Sequence, residues 1–237
     1  MKKQKYNTLC IMAASIAFFF TACSKSIDNY KAPDASIYGA LLDSKANDTV
    51  YAANNKGQSG YLFLYQQNYS SSNPNSITSD YTYNGTYENG FIFSGSYKVV
   101  PTGAFYYMDT VIAKVNGKTL VNLKVSQWIY VTIQIGAVTS NSITVTYTAT
   151  SNDAAQQIAR VATMLSPSPY VDINNYGSSG RMLHSVSGAD TYTFTDTFTG
   201  LSSGTVYYLR AGSRMANSTI NPNNYYNYSR VIQVKTP

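Results

Sequence analysis

The stretch SITVTYTAT at residues 142–150 decides the fold class. Its apolar residues Ile143, Val145, Tyr147 and Ala149 alternate with threonines, so the two kinds of side chain point to opposite faces of an extended chain. A helix would instead place apolar residues three and four positions apart. The stretch therefore predicts a β-strand with one buried and one solvated face, as in an antiparallel sheet.

The run from Val121 to Ile135 shows the same alternation. A bend near residues 126–127 is expected to divide it, and we place a domain boundary there. Trp128 and Tyr130 have the parity of the polar residues, which puts two large rings opposite the aliphatic stripe. Either they pack in a junction between domains, or they form a platform on which a sugar ring stacks.

Other short apolar segments, separated by Asn, Gly, Ser and Pro, predict further strands. Residues 68–79, rich in Ser and Asn, predict a long loop. Residues 153–165 also carry helical spacing, but we favour a strand over 160–165. The remaining predicted strands are Ser36–Asp43, Gly60–Gln66, Gly90–Phe93, Tyr97–Pro101, Met108–Val115, Thr191–Phe198, Val206–Ser213 and Ser229–Lys235.

The composition supports an all-β protein. Only 12% of the 237 residues are charged, whereas 23 are tyrosines. Helix bundles, coiled coils and DNA-binding helices need regularly spaced Lys, Glu and Arg, so this composition disfavours them. The surface must instead be covered by Ser, Thr, Asn and Tyr.

The N-terminal residues predict export and lipidation. Three lysines precede the apolar stretch Leu9–Phe20, which is too short to span a bilayer and is typical of a signal peptide. The sequence FTAC at residues 20–23 resembles the bacterial lipobox, which implies that Cys23 is lipidated and becomes the first mature residue. A plain secretory peptide is the alternative. We expect a signal peptide over 1–22 and a polar tether over 23–34.

Cleavage would remove three lysines and no acid, which lowers the net charge from +6 to +3. No basic cluster then remains to track phosphates, so a nucleic-acid partner is not expected. Cys10 is lost and Cys23 is consumed, which leaves no disulfide and no thiolate metal site.

Residues 84–101, NGTYENGFIFSGSYKVVP, resemble the hairpin of transthyretin-like, carboxypeptidase-regulatory domains. Together with the cysteine and the entry NYKAPDA at 29–35, they resemble an uncharacterised family of two-domain Bacteroidetes lipoproteins. The resemblance implies a first β-sandwich over 35–126. It also implies glycan capture beside a starch-utilisation-type outer-membrane transporter and its glycan-binding lipoprotein partner.

Residues 201–211, LSSGTVYYLRA, resemble the turn and strand of a fibronectin type III or immunoglobulin-like sandwich. This resemblance implies a second β-sandwich over 127–237, in tandem with the first. Tyr207 would be the tyrosine-corner residue, with its ring in the core and its hydroxyl bonded to nearby backbone. Tyr208 and Arg210 would then point outward.

The sequence offers little for catalysis, and we predict no enzyme, metal or cofactor. His184 is the only imidazole, and we expect a structural role for it. The run DINN at 172–175 carries oxygens that could suit calcium, but it lacks the spacing of a calcium loop and is interpreted as a turn.

A charge-poor surface rich in Tyr and Asn suits uncharged polysaccharides or oligosaccharides. The loop NPNNYYNY at 221–228 contributes Tyr225, Tyr226 and Tyr228 as candidate sugar contacts, although these rings could instead fold back over the sandwich. Thr49 lies in a short Asp-Thr-aliphatic motif that resembles a protein O-glycosylation site.

We therefore predict a non-catalytic, lipid-anchored outer-membrane protein that binds glycan for an uptake system. We place it at the cell surface, with the periplasmic face as the alternative. The rival function is an interaction module that docks on a partner outer-membrane protein.

Overall fold

The computed structural model describes residues 31–46, 48–53, 57–67, 75–178 and 180–237. The predicted signal peptide, Cys23, most of the tether and part of the loop predicted over 68–79 lie outside these residues. The described residues contain many strands and no α-helix, which confirms the all-β prediction. Correspondingly, they include no helix of the length and apolarity needed to cross a membrane.

Strands before and after Trp128 form separate sheets, and we call residues 35–127 the first half of the chain and residues 128–237 the second half. Both belong to one compact unit over residues 33–237. The strands of the first half are β1 (Ala35–Asp43), β2 (Leu62–Gln66), β3 (Ser76–Ser79), β4 (Thr86–Ile92), β5 (Gly95–Pro101), β6 (Phe105–Tyr107), β7 (Val111–Val115), β8 (Lys118–Leu120) and β9 (Leu123–Gln127).

The first half packs two sheets around one core. One sheet has the order β4-β1-β9-β6, with β8 also paired to β1, and the other has the order β3-β2-β5-β7. β1 runs parallel to β8 and β9, and the other pairs are antiparallel. Leu41, Leu64, Tyr87, Tyr97 and Leu123 are among the buried residues between the sheets.

The second half also packs two sheets, of order β10-β11-β14 and β13-β12-β15-β16, with β17 paired to β15. Its core includes Tyr147, Phe198, Tyr207 and Leu209. The strands are β10 (Ile129–Val138), β11 (Ser142–Ser151), β12 (Ile158–Ser166), β13 (Arg181–Ser185), β14 (Thr191–Thr199), β15 (Val206–Met215), β16 (Asn227–Tyr228) and β17 (Ile232–Lys235).

The alternation predicted for residues 142–150 is present in β11, where buried and half-buried residues alternate along the whole strand. The outward threonines of β11 and β14 form cross-strand hydroxyl pairs, such as Thr144 with Thr197 at 2.9 Å and Thr148 with Thr193 at 2.9 Å. This face is therefore hydrogen-bonded without charged residues, which is consistent with the low charge of the chain.

The tyrosine corner is also confirmed. Tyr207 is buried, and its hydroxyl accepts a hydrogen bond from the Ser202 backbone N–H at 3.0 Å. The neighbouring expectation about Arg210 is wrong in one respect. Arg210 does lie on the opposite face of β15 from Tyr207, but its exposure is 0%. The first half of the chain covers that face, so a position that parity assigns to solvent is buried.

Arg210 joins the two halves through backbone carbonyls. Its Nη1 donates to the Ala52 carbonyl at 2.8 Å, and its Nη2 donates to the Tyr83 carbonyl at 3.2 Å, both in the first half. In the second half, its Nε donates to Ser229 O at 3.0 Å, and Nη1 also reaches Val171 O at 3.4 Å. A buried guanidinium with this many acceptors fixes the relative position of four chain segments.

The guanidinium of Arg210 also lies over the ring of Tyr228, 4.3 Å from its centroid. Burial lowers the pKa of Arg210 to about 10, which leaves it charged at neutral pH. Around it, Ala53 of the first half packs with Met164 and Ile173 of the second half in a small apolar cluster. The junction is therefore a packed interior and not a loose hinge.

Asp43 and Asn227 form two further links across the junction. The Asp43 carboxylate accepts hydrogen bonds from the backbone N–H of Gln127 at 2.9 Å and from the Tyr130 hydroxyl at 3.0 Å. Asn227 donates from Nδ2 to the Ala104 carbonyl at 2.8 Å, while its Oδ1 accepts the Ile129 N–H at 3.1 Å. Both side chains are buried, so these bonds are shielded from water.

Replacing Asp43 with asparagine is expected to remove an acid-sensitive part of the stability. Burial raises the pKa of Asp43, but donors that include the N–H groups of Gln127, Ala46 and Lys45 outweigh it, and the net pKa lies below 3.8. The unfolded chain therefore binds this proton first, and the stabilisation is present at neutral pH and lost as the pH falls through the lowered folded pKa.

Urea unfolding at neutral pH and near pH 3 would measure this effect, with Asp109→Asn as an exposed control. We expect Asp43→Asn to lose less stability on acidification than the parent chain, and Asp109→Asn to follow the parent. An identical acid dependence in Asp43→Asn and the parent would contradict the assignment.

Candidate functional site

A cleft at the junction carries a concentration of tyrosine rings. We call it the tyrosine cleft, and its volume of about 310 Å³ lies at the low end of the range typical of ligand pockets. Its walls come from both halves of the chain and combine aromatic rings with side-chain amides and one arginine. The lining residues are Tyr51, Tyr83, Asn84, Pro169, Tyr208, Arg230, Val231 and Gln233.

The rings in this cleft are half-buried, so each keeps an accessible part while its base is packed. Tyr51 and Tyr208 pack against the apolar cluster of the junction. Tyr170, which is 49% exposed, packs edge-on against Tyr83 with 5.7 Å between ring centroids. Tyrosine has only two side-chain torsions, so rings held at the base present flat, rigid faces.

Arg210 holds the backbone beneath these rings. Its bonds to the carbonyls of Ala52 and Tyr83 fix the segments that carry Tyr51 and Tyr83, and those segments also meet through the Ala52 N–H and Tyr83 carbonyl at 3.2 Å. Tyr208 lies two residues before Arg210 on β15 and shares its face. The cleft is therefore positioned by the same buried cation that joins the halves.

Trp128 does not contribute a sugar-stacking surface. It is 5% exposed, packs in the core of the second half and meets Tyr106 edge-on at 6.1 Å. The indole offers no open face to a ligand, so of the two interpretations the junction is the one that agrees with the structure. The alternation did not predict this burial because the strand is interrupted at Trp128, between β9 and β10. Gln127, Trp128 and Ile129 are therefore buried in succession.

Tyr130 and the tyrosines of the 221–228 loop are also dispersed. Tyr130 is half-buried and donates its hydroxyl to Asp43, and Tyr228 is 2% exposed beneath Arg210. Tyr226 is 7% exposed, and Tyr225 is half-buried with its hydroxyl accepting a bond from Asn223 at 3.1 Å. The structure does not bring these candidates together in one cleft, which favours the alternative in which the rings fold back.

Sequence reasoning missed the residues of the tyrosine cleft. The sequence pattern predicts that Tyr81 and Tyr83 pack across neighbouring strands, but Tyr83 lies in a turn before β4. The outward parity of Tyr208 was a usable signal, because a large ring on the outer face of a strand needs a partner or a ligand. Nothing in the local sequence relates it to Tyr51, which lies more than 150 positions away.

His184 lies at the edge of the second sandwich against a buried carboxylate. Its Nε2 is 3.0 Å from Asp196 Oδ1, and its ring stacks on Phe194 with 4.2 Å between centroids. Asp196 also accepts hydrogen bonds from Tyr147 at 2.8 Å and Thr163 at 2.7 Å. The carboxylate is thus shared among three donors of the core, which fits the structural role expected for His184.

The DINN run forms the expected turn. Asp172 Oδ1 accepts the backbone N–H groups of Asn174 and Asn175 at 2.8 and 2.9 Å. The described residues contain no group of three or more His, Cys, Asp or Glu side chains placed to hold a metal ion. Thr49 is half-buried beside β1, and its glycosylation remains a prediction.

Solved structures of similar fold include proteins from Parabacteroides and Bacteroides species. A DUF3823 family protein from Parabacteroides merdae ATCC 43184 is 20% identical, with a TM-score of 0.70, and the match covers 86% of this chain and 100% of that one. A "putative carbohydrate binding protein" from Bacteroides uniformis ATCC 8492 is 22% identical, with a TM-score of 0.70, and the match covers 86% and 99%. At these identities the likeness concerns the fold.

Among curated proteins, none matches the chain. One family model does, and it is described as the N-terminal domain of a protein of unknown function, DUF3823. Its match spans residues 35–126, the boundaries expected for the first sandwich. This part of the chain is therefore similar in sequence to the DUF3823 N-terminal domain, and the described chain shares its all-β fold with solved DUF3823 proteins.

Proposed function

We propose that this chain binds a glycan in the tyrosine cleft. The observation that carries the proposal is the convergence of three tyrosine rings, Tyr51, Tyr83 and Tyr208, with the amides of Asn84 and Gln233 in one cleft. Aromatic faces pack on the C–H faces of sugar rings, while amides both donate to and accept from hydroxyl groups. The Bacteroides uniformis protein named for carbohydrate binding has a similar fold, which supports the same reading.

The wider role in this proposal is that of a non-catalytic accessory to polysaccharide uptake. The signal peptide and Cys23 would anchor the chain by lipid to the outer membrane, at the cell surface, with the polar tether between lipid and first strand. The glycan would reach a transporter and its glycan-binding lipoprotein partner. Support for this part comes from the N-terminal sequence and from the resemblance to Bacteroidetes lipoproteins.

Alanine at Tyr83 or Tyr208 is expected to weaken glycan binding by about tenfold, because each change removes a stacking face worth about 0.5–1.5 kcal/mol beyond its area. The full chain, purified in detergent, would be screened against a polysaccharide panel by affinity electrophoresis. The strongest binder would then be titrated calorimetrically as an oligosaccharide.

Tyr65→Ala is the matched control, because Tyr65 is a half-buried tyrosine on β2 that does not line the cleft. We expect it to bind as the parent does. If the parent chain binds no glycan, the proposal fails, and docking on a partner outer-membrane protein becomes the better reading. If both cleft variants bind as well as the parent, the glycan site lies elsewhere.

A further inference from the structure

A second cleft at the junction is lined by three arginines. We call it the arginine cleft, and its volume is about 270 Å³. Gln58 of the first half lines it, and the other walls come from the second half. Within the described part of the chain, no aspartate or glutamate lines this cleft; the lining residues are Gln58, Arg160, Ile173, Asn174, Arg181, Leu183, Arg214, Asn223, Asn224 and Tyr226.

The sheet holds two of these arginines side by side. Arg160 on β12 and Arg214 on β15 are direct partners in the antiparallel ladder. Like charges directly opposite each other in a sheet are destabilising. Within the part of the chain that the structure describes, neither of them nor Arg181 has a carboxylate within ion-pair distance. The fold therefore carries an electrostatic cost that an anion in the cleft would relieve.

The hydrogen bonds of these arginines leave donor capacity. Arg181 gives Nη1 to the Ile173 carbonyl at 2.8 Å, and Arg214 gives Nη1 to Asn224 Oδ1 at 2.7 Å. The Nε of Arg214 is buried and has no acceptor in the structure. A buried donor without a partner destabilises the folded chain, and an oxyanion is the acceptor that a guanidinium binds best.

The loop that faces Arg214 contains a residue with a left-handed backbone conformation. Asn224 has a φ of 57°, in the left-handed region, and among the described residues no other non-glycine shares this feature. Asn221 fixes the loop by accepting the Tyr225 N–H at 2.7 Å and donating to its carbonyl at 2.9 Å. Asparagine adopts this region more readily than other non-glycine residues, and the side chain of Asn221 holds the loop that contains it.

The adjoining turn carries one carboxylate, Asp172, which is not among the residues that line the cleft. It is buried, its Oδ1 accepts the backbone N–H groups of Asn174 and Asn175, and its charge acts on Arg210 and Tyr228. The same turn connects the two clefts, since Pro169 lines the tyrosine cleft and Asn174 lines the arginine cleft. Five residues span at most about 18 Å, which sets an upper limit on the distance between these two lining residues.

We propose that the arginine cleft binds the carboxylate or sulfate groups of an acidic polysaccharide whose sugar rings occupy the tyrosine cleft. This inference rests on the proposed function and narrows its ligand, since the composition alone favoured uncharged glycans. Arginine recognises both anions through paired N–H donors. The sugar rings supply the stacking contacts, and the acid groups supply the selectivity.

The test uses the full chain and a panel of acidic polysaccharides: polygalacturonate, alginate, hyaluronan and chondroitin sulfate. Each is paired with its carboxyl-reduced or desulfated form, and inorganic phosphate is titrated separately. We expect at least one acidic polymer to bind about tenfold or more tightly than its neutral counterpart. Arg160→Gln and Arg214→Gln should remove that preference, while Lys98→Gln, an exposed charge on β5, should keep it.

Stability separates a binding role from a structural one. Because Arg160→Gln removes a like-charge pair, its free energy of unfolding should equal or exceed that of the parent while its affinity falls. Equal binding of acidic and neutral polymers, lost in Tyr83→Ala, would overturn this inference and leave the proposed function standing. Binding of free phosphate as tight as that of every polymer would overturn the glycan assignment of this cleft. No binding of any probe would overturn both.

Discussion

Arg210→Ala is expected to lower the free energy of unfolding by about 3–5 kcal/mol. The guanidinium is 0% exposed and donates to four carbonyls, two in each half of the chain. Its loss would leave those acceptors buried without a donor, at about 1–3 kcal/mol for each one that water cannot reach, and would open a cavity at the junction. Because it holds Ala52 and Tyr83, glycan affinity should fall as well.

Urea unfolding followed by circular dichroism would measure this effect, with Arg230→Ala as the control at an exposed arginine. Arg230→Ala should change the free energy of unfolding by less than about 0.5 kcal/mol. Arg210→Lys keeps the charge but has only one nitrogen, so it should be nearly as destabilising as alanine. A loss below about 1 kcal/mol in Arg210→Ala would show that the four bonds contribute little.

Trp128→Ala is expected to destabilise the chain by a similar amount, about 3–5 kcal/mol, because it removes a buried indole from packed surroundings. Trp128 lies with Ala104 in the core of the second half, and its backbone links Ala104 and Asn152. Its Nε1 has no hydrogen-bond partner in the structure. Trp128→Phe therefore sacrifices volume but no side-chain hydrogen bond, and should cost clearly less than alanine.

Thermal and urea unfolding of both variants would check this order. Trp128→Phe also distinguishes a packing role of Trp128 from a ligand contact. We expect this variant to fold and to bind glycan as the parent does. Lost glycan binding in a stable Trp128→Phe variant would contradict the assignment of Trp128 to the interior. An unfolding free energy of Trp128→Ala close to that of the parent would contradict it independently.

Much of the fold could be predicted because its determinants are local. The alternation in residues 142–150 predicts β11 with its inward face, since period-two patterning and strand geometry coincide. The LSSGTVYYLRA stretch likewise resembles a known turn, and the bond from Ser202 to Tyr207 follows it. Residues 160–165 resolve as part of β12, although helical spacing competed there.

The junction could not be predicted, because it depends on which outer faces meet. Arg210 has the parity of a solvent-facing residue, and only the packing of the first half against β15 makes it an interior cation. For a related reason, the alternation could not decide between the two interpretations of Trp128: a single irregular residue between β9 and β10 resets the alternation. The residue pattern of one strand predicts which side chains share a face, but it does not predict which part of the chain covers that face.

The candidate site could not be predicted from local sequence either, because its residues meet only in the tertiary structure. The tyrosine cleft draws Tyr51, Tyr83 and Tyr208 from three separate segments of the chain. The loop at 221–228 stood out through its composition, yet it contributes Asn223, Asn224 and Tyr226 to the arginine cleft and not a row of exposed rings. The amino-acid composition indicated aromatic and amide contacts to sugars, but the tertiary fold determines which of these residues share a cleft.

The links across the junction bear on the kinetics of capture. Arg210, Asp43 and Asn227 hold the halves together through hydrogen bonds, so both clefts are formed before a ligand arrives. A preformed cleft requires little ordering on association, and differences in affinity among related ligands then reside mainly in their dissociation rates. Under the proposed function, the residence time of a glycan would be set by the number of sugar contacts and not by the opening of a lid.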